Sequence, residues 1–344
     1  MSKLRYSLIL LLFICIQCEE PVALKLKETE TTYLVVDGFI TTEAKEHVIT
    51  ISNSTPFRNN EITPFIKESV ASIQIVDDQD NITPLLFQGT GVYHTPANFA
   101  AREGTAYRLR FTRENGESYE SVPQIVPAAG SIDDLYFNYQ TRQVYNSEAD
   151  QFVDMGGLQF KADYTFPESG KYMAFDWEGT FIFESEFRTC YVSEETNGIE
   201  SLASNVRFET QSFQEQDLFF FNHDFRFRHK YSLNLLLYTM DRSAYNFLAD
   251  VQGQLNSSGS IFDPAPRQLN SNVFNTRNED EVVLGYFGAF NVTSKRIFIT
   301  PGQIPAAAPF DVCTRSEGPG SPPAYCFNCL LYIGASDVRP SYWE

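Results

Sequence analysis

Tyr107, Leu109 and Phe111 alternate with Arg108, Arg110 and Thr112, and Asn115-Gly116 follows two residues later. A period of two sets one apolar face against a core and one polar face against water, which a strand does and a helix cannot. Asn-Gly tolerates the positive φ of a hairpin turn, so Tyr119 begins the return strand. The same grammar recurs upstream. Tyr33 to Ile40 is rich in Tyr, Val and Ile around Asp37-Gly38, His47 to Ile51 alternates, and Val70 to Val76 leads through the turn Asp77 to Asn81 to Leu85 to Phe87. About seven short strands in about 95 residues suit an immunoglobulin-like β-sandwich, expected over 31–126 and ending near Pro123 to Pro127.

The remainder, 127–344, reads as a larger β-rich domain with one notable helix. Leu158, Phe160, Ala162, Tyr164 and Phe166 alternate with Gln159, Lys161 and Asp163. Further strands are expected at Leu135 to Tyr139, Tyr172 to Phe183, Phe187 to Val192, Phe219 to Phe227 and Tyr231 to Met240. Val282 to Phe290 and Arg296 to Ile299 read as closing strands. The helix follows Asp241 or Ser243 as N-cap, with Ala244, Leu248, Val251 and Leu255 on one stripe, and Asn256 to Gly259 ends it. The chain is thus mainly β. Aromatic residues make up 15% of it, and burying Phe and Tyr gives β-layers a large core.

Charge narrows the function. Lys and Arg number 26 against 44 Asp and Glu, a formal net charge of −18, which excludes a nucleic-acid binder because that affinity rests on cations neutralising phosphates. Lys3 and Arg5 precede an apolar run, Leu8 to Ile16, of 9 residues. That is a secretory signal pattern, and it is too short to cross a hydrocarbon core needing about 20 residues. Cys18, followed by Glu19, Glu20 and Pro21, resembles the acylated cysteine of a bacterial lipoprotein, although Gln17 stands where a small residue is usual and Cys15 is a rival. Each buried methylene of an acyl chain contributes about 0.8 kcal/mol to anchorage. The expected layout is therefore a signal peptide over 1–17 and a tether over 18–30 lipidated at Cys18. The two carboxylates after Cys18 also resemble the export tag of Bacteroidota surface lipoproteins.

Taken in order, several short pieces resemble an uncharacterised, domain-of-unknown-function family of Bacteroidota outer-membrane lipoproteins commonly encoded beside TonB-dependent receptors. They are Cys18 to Pro21, Leu34 to Ile40, Gly91-Val92-Tyr93, Gly104, Tyr107-Arg108-Leu109, Gly116 and Tyr119-Glu120-Ser121. Later come Tyr231-Ser232-Leu233, Ser243-Ala244-Tyr245, Ile261 to Pro264 and Val283 to Phe287. The end, Cys326-Phe327-Asn328-Cys329 and Arg339 to Trp343, resembles a closing signature, with Arg339 where Lys is more usual. The resemblance implies an outer-membrane location near a transporter and supplies no activity.

With Cys15 removed and Cys18 acylated, Cys190, Cys313, Cys326 and Cys329 remain, an even number that favours two disulfides in an exported chain. Three pairings are open. The two-residue gap makes a Cys326–Cys329 ring strained, so each is expected to pair with Cys190 or Cys313, in an order left open. A four-thiolate zinc site or a redox dithiol is the lesser alternative. His223-Asp224 with His229 suggests a metal site, but a six-residue gap on a strand separates the rings by about 20 Å. Asp77, Asp78 and Asp80, and Glu279, Asp280 and Glu281, are calcium candidates that also suit solvated turns. Leu218 to Phe221 with Phe225 and Phe227 reads as strand core, or as a ligand-facing aromatic platform. No nucleophile, metalloprotease or phosphate-loop motif is present, so no catalytic, cofactor or metal residue is assigned.

These readings converge on a non-enzymatic, surface-exposed outer-membrane lipoprotein. Its expected role is a substrate-binding or lid-like accessory subunit of a TonB-dependent receptor. An adhesin or envelope-structural lipoprotein is the first alternative. A cell-surface hydrolase, needing two carboxyl groups about 5–10 Å apart, is the second.

Overall fold

A computed structural model of the chain describes residues 32–55, 66–146, 150–196, 198–256, 269, 271–313 and 322–343. Its strands and single α-helix all fall in one unit, Tyr33–Ser54 with Phe65–Glu344. From the amino end the strands are β1 (Leu34–Thr41), β2 (Val48–Asn53), β3 (Ile66–Lys67), β4 (Val70–Asp77), β5 (Ile82–Pro84), β6 (Leu86–Gly89) and β7 (Val92–His94). Next come β8 (Ala106–Arg113), β9 (Ser118–Ser121), β10 (Gln124–Ile125), β11 (Ser131–Asn146), β12 (Gln151–Thr165), β13 (Tyr172–Glu184) and β14 (Thr189–Glu195). The last are β15 (Ser201–Ser204), β16 (Ser212–Asn222), β17 (Tyr231–Met240), β18 (Val273–Asn275), β19 (Val283–Ile299) and β20 (Ala335–Ser336), with helix α1 (Arg242–Leu255) between β17 and β18. The fold is mainly β.

The largest sheet has the order β20-β14-β13-β17-β19-β1-β2-β7-β6, with β15 beside β13 and β3 beside β2. A second sheet runs β18-β9-β8-β4-β5 with β10 on β8, and a third is β11-β12-β16. The alternation read in β8 is observed: Tyr107, Leu109 and Phe111 are buried, and Gly116 takes φ +86° in the turn to β9. These side chains face Leu34, Val36, Ile49 and Ile51 of the large sheet across one apolar cluster. Two β-layers packed this way form a sandwich. The core of 31–126 is not filled from within that segment, because Val273, Val283, Phe287 and Ala289 belong to the same cluster. β1 pairs with β19 in parallel from Leu34↔Val283 to Thr41↔Phe290.

β17 explains the second half. All ten of its residues are buried. Tyr231, Leu233, Leu235 and Leu237 point into a cluster shared with Phe160, Phe221 and Phe181, where the β11-β12-β16 sheet lies against the large one. Leu236, Tyr238 and Met240 point the other way, into a cluster covered by α1. A strand buried on both faces reads as a near-continuous apolar run, as this one does. Asp241 caps α1 through the Ala244 N–H at 2.8 Å, and Asn256 follows its last residue.

Four expectations need correction. The closing strands are one strand, β19, of 17 residues. The strand expected at Phe219 to Phe227 ends at Asn222, and Phe225–Phe227 is a 3-10 turn capped by Asp224. α1 packs through Ala244, Tyr245, Phe247 and Leu248, while Leu255 at the end of the expected stripe is 79% exposed. After Pro301, where the sequence suggests an irregular tail, the described residues form 3-10 turns at Pro301–Gln303, Ala324–Cys326 and Cys329–Leu331 and the short strand β20. Among the described residues, no helix is long and apolar enough to cross a membrane.

Candidate functional site

A concavity of about 970 Å³ lies at the edge of the large sheet. β13 and β14 form its floor with Glu178, Gly179, Thr180, Phe181, Val192, Glu194 and Glu195. Its wall is the C-terminal segment, through Tyr325, Leu331, Tyr332, Ile333 and Tyr342. Two disulfides hold that wall. Cys190 in β14 bonds Cys329, and Cys313 bonds Cys326. Each close-spaced cysteine pairs elsewhere, and the order left open by the spacing is now resolved. Around the bridges, β20 pairs with Tyr191 and Val192, the Ser193 N–H donates to the Gly334 carbonyl at 2.9 Å, and Glu186 N–H donates to the Cys326 carbonyl at 2.9 Å. Tyr325 and Tyr332 pack on Phe183 at 5.7 and 5.3 Å between ring centroids.

From Glu194 in the floor runs a half-buried charged network. Tyr231 donates its hydroxyl to Glu194 at 2.5 Å, Arg226 Nη1 donates to Glu194 at 3.1 Å, and Arg226 Nε donates to Asp224 at 2.9 Å. Burial works against the Arg226 charge, but Asp224 and Glu194 more than restore it and leave its pKa above the ordinary value. Burial, and then the Glu194 charge, push the Tyr231 phenol well above its usual range. Tyr231 is therefore held neutral and Arg226 charged. The network needs the missing side chain of Gly179, where a Cβ would stand 2.2 Å from Tyr231 Oη and 2.7 Å from Glu194 Cγ. On the opposite face of β13, Glu178 accepts from Asn234 at 3.0 Å and lies 3.9 Å from Arg296. The Arg296 guanidinium sits 3.7 Å above the Tyr342 ring, and the Tyr342 hydroxyl is 2.8 Å from Thr180 Oγ1.

A protein-family model described as a domain of unknown function (DUF4249) matches residues 19–296. The chain belongs to the DUF4249 family. No curated protein matches it. Within the DUF4249 span lie the groove floor, the Arg226 network and Cys190, whereas the wall from Tyr325 to Tyr342 lies beyond the matched residues.

The other sequence candidates are placed as follows. Cys18 lies outside the described residues. Asp77 accepts from the Gln79 and Asn81 N–H groups at 2.9 and 2.8 Å and from Asn81 Nδ2 at 2.9 Å, which holds its pKa down and closes the turn. Asp80 pairs with Arg108 at 3.0 Å. Glu281 accepts from Tyr119 Oη at 2.8 Å and from Asn275 at 2.6 Å. These acids are used in turns and between layers. Phe219, Phe221 and Phe227 are buried in the core, with Leu218 and Phe225 packed against it, whereas Phe220 lies outside that cluster under the Arg142 guanidinium at 3.9 Å. His223 packs against Tyr139 and Phe227, and His229 meets Glu184 at 3.4 Å. Among the described residues no set of three or more His, Cys, Asp or Glu side chains gathers as a metal site would.

His47 is 3% exposed between the Thr41 and Thr95 hydroxyls, 2.9 Å from Nε2 and 3.3 Å from Nδ1. Burial, then Lys45, lowers its pKa to about 4. A histidine buried neutral stabilises the fold above its unfolded pKa of about 6.5, and that contribution is lost as pH falls through the folded value. Stability is expected to fall by on the order of 3 kcal/mol between about pH 6.5 and 4 from this group. Urea unfolding of wild type and His47→Gln across that range checks it: the variant loses this part of the slope.

Sequence reading missed Glu178, Glu194, Glu195, Tyr332 and Tyr342 as a set. The available signal was the hairpin: once β13 and β14 pair around the turn at 185–188, Glu178 falls opposite Glu195. Only the register determines that.

Proposed function

We propose that this DUF4249 protein is a non-enzymatic binding subunit, anchored by acylated Cys18 at the outer surface of an outer membrane and working beside a TonB-dependent transporter. The observation that carries the binding role is the groove. A disulfide-clamped segment is held over a sheet edge, with tyrosine rings and isoleucine on one side and carboxylates on the other, which is the concave, mainly apolar lining with a few placed polar groups that ligand sites use. Ile333 stands 92% exposed on the groove lip, where a probe side chain can reach an occupant of the groove. The anchoring role is supported by the apolar run ending two residues before Cys18 and the acidic residues after it.

The test is a photo-crosslinking amino acid placed at position 333 in the full-length protein, irradiated in intact cells. Capture of an outer-membrane transporter barrel or of its ligand is expected, together with Cys18→Ala releasing the chain from the membrane fraction without detergent. Recovery of the unlipidated mature chain in the soluble fraction of wild-type cells, or crosslinking to neither barrel nor ligand, would overturn the proposal.

A further inference from the structure

Glu178 and Glu195 face each other across β13 and β14. The Ser193 N–H points away from β13 to Gly334, and hydrogen-bonding direction alternates along a strand, so Glu195 likewise turns its main chain outward. Glu178↔Glu195 is therefore a non-hydrogen-bonded pair, the kind in which opposite side chains stand closest, and like charges directly opposite destabilise a sheet. Glu178 is partly compensated by Arg296. The exposed Glu195 carboxylate has no hydrogen bond or ion pair among the described residues.

We infer that the groove takes an extended polypeptide segment carrying a guanidinium or ammonium side chain, seated between Glu195 and Glu178. This rests on the binding role proposed above. Three features favour that occupant. The unneutralised carboxylate gives a cation a charge partner and relieves the cross-strand repulsion. Arg296 over Tyr342 and beside Glu178 already takes that ring face, which leaves Glu195 as the carboxylate an incoming cation would meet, within reach of the same ring-and-carboxylate surroundings that favour cations. β20 covers only Tyr191 and Val192, so the outward main-chain groups of Glu195 lie past its end, and an extended chain can add to such an edge. A neutral sugar has use for the rings but none for the unpaired charge.

The test is fluorescence anisotropy on the mature protein with a fluorescein-labelled pentapeptide holding two arginines, against the same peptide with citrulline. Expected results are tighter binding of the arginine peptide, and a loss of about fivefold for Glu195→Gln and for Glu178→Gln alike. Glu114→Gln, on the exposed β8–β9 turn, controls for diffuse attraction to an acidic body and leaves affinity unchanged. Equal binding of the two peptides, indifference to Glu195→Gln, or an equal loss in Glu114→Gln would each overturn the inference. Crosslinking of a neutral ligand at position 333 with indifference to Glu195→Gln would sink the cation reading and leave the binding role standing. No binding of either peptide, together with no crosslinked ligand or barrel at position 333, would sink both.

Discussion

Replacing Cys190 and Cys329 together by serine is expected to lower stability by about 2–5 kcal/mol, on the order of 10 °C in melting temperature. The bridge spans 139 residues, and constraining so long a loop in the unfolded chain is worth about 5 kcal/mol by chain entropy, against about 3 kcal/mol for the 13-residue separation of Cys313 and Cys326. Both Cys190 and Cys329 are fully buried, so the serine hydroxyls add an unsatisfied polar cost. The larger consequence is local. Without the bridge the wall of Tyr332 and Ile333 loses its one covalent tie to the sheet and keeps the β20 pairing, a few hydrogen bonds and ring contacts, so proteolysis should cut the C-terminal segment first, and crosslinking from position 333 should fall. Denaturant midpoints and limited proteolysis of the two double-serine variants check this. A Cys313/Cys326 variant as damaged as the Cys190/Cys329 variant would show that loop length does not govern the effect.

Gly285→Val is expected to destabilise the chain by about 4 kcal/mol or more, enough to cut soluble yield sharply. Gly285 has φ +86°, and a Cβ there would lie 1.9 Å from the Val36 carbonyl oxygen, a main-chain atom that cannot swing aside. Val36 and Phe287 are both fully buried, so a shift of β1 off β19 would open the cluster beneath the sandwich. Gly104→Val is the matched comparison. It also has positive φ, +76°, but a Cβ there meets nothing within 4 Å, so only conformational strain of about 1–3 kcal/mol is expected. Similar losses in both variants, measured by urea unfolding, would mean that backbone conformation and not the β1–β19 approach sets the cost.

Strand content was readable because side-chain period is a local property. β17 is bounded as its apolar run predicts, and the β8–β9 hairpin was announced by Asn115-Gly116. α1 was placed by its cap, although its stripe was assigned to Leu255 when the sheet beneath covers Tyr245 and Phe247 instead. The 3-10 turn at Phe225–Phe227 was hidden because its aromatics look like strand residues, and only the Asp224 cap breaks the run. Of the wall residues, Tyr342 stands in the closing stretch Arg339 to Trp343 that carries the resemblance, whereas Tyr325, Leu331, Tyr332 and Ile333 give no signal of their own, since short turns have no period to read.

By itself the chain determined that its layers are β-sheets, that one helix follows Asp241 or Ser243, and that the body is strongly acidic, and it favoured two bridges among four cysteines. Each follows from neighbours in sequence or from counting. Which strand lies beside which was decided only in three dimensions, because the parallel pairing of β1 with β19 joins residues some 250 positions apart, and nothing local encodes it. The groove belongs to the same class. Glu178 and Glu195 become a pair through strand register, and Tyr332 is brought onto Phe181 and Phe183 beside a bond from Cys190 to Cys329, so the site exists only once long-range pairing has closed the loop between them.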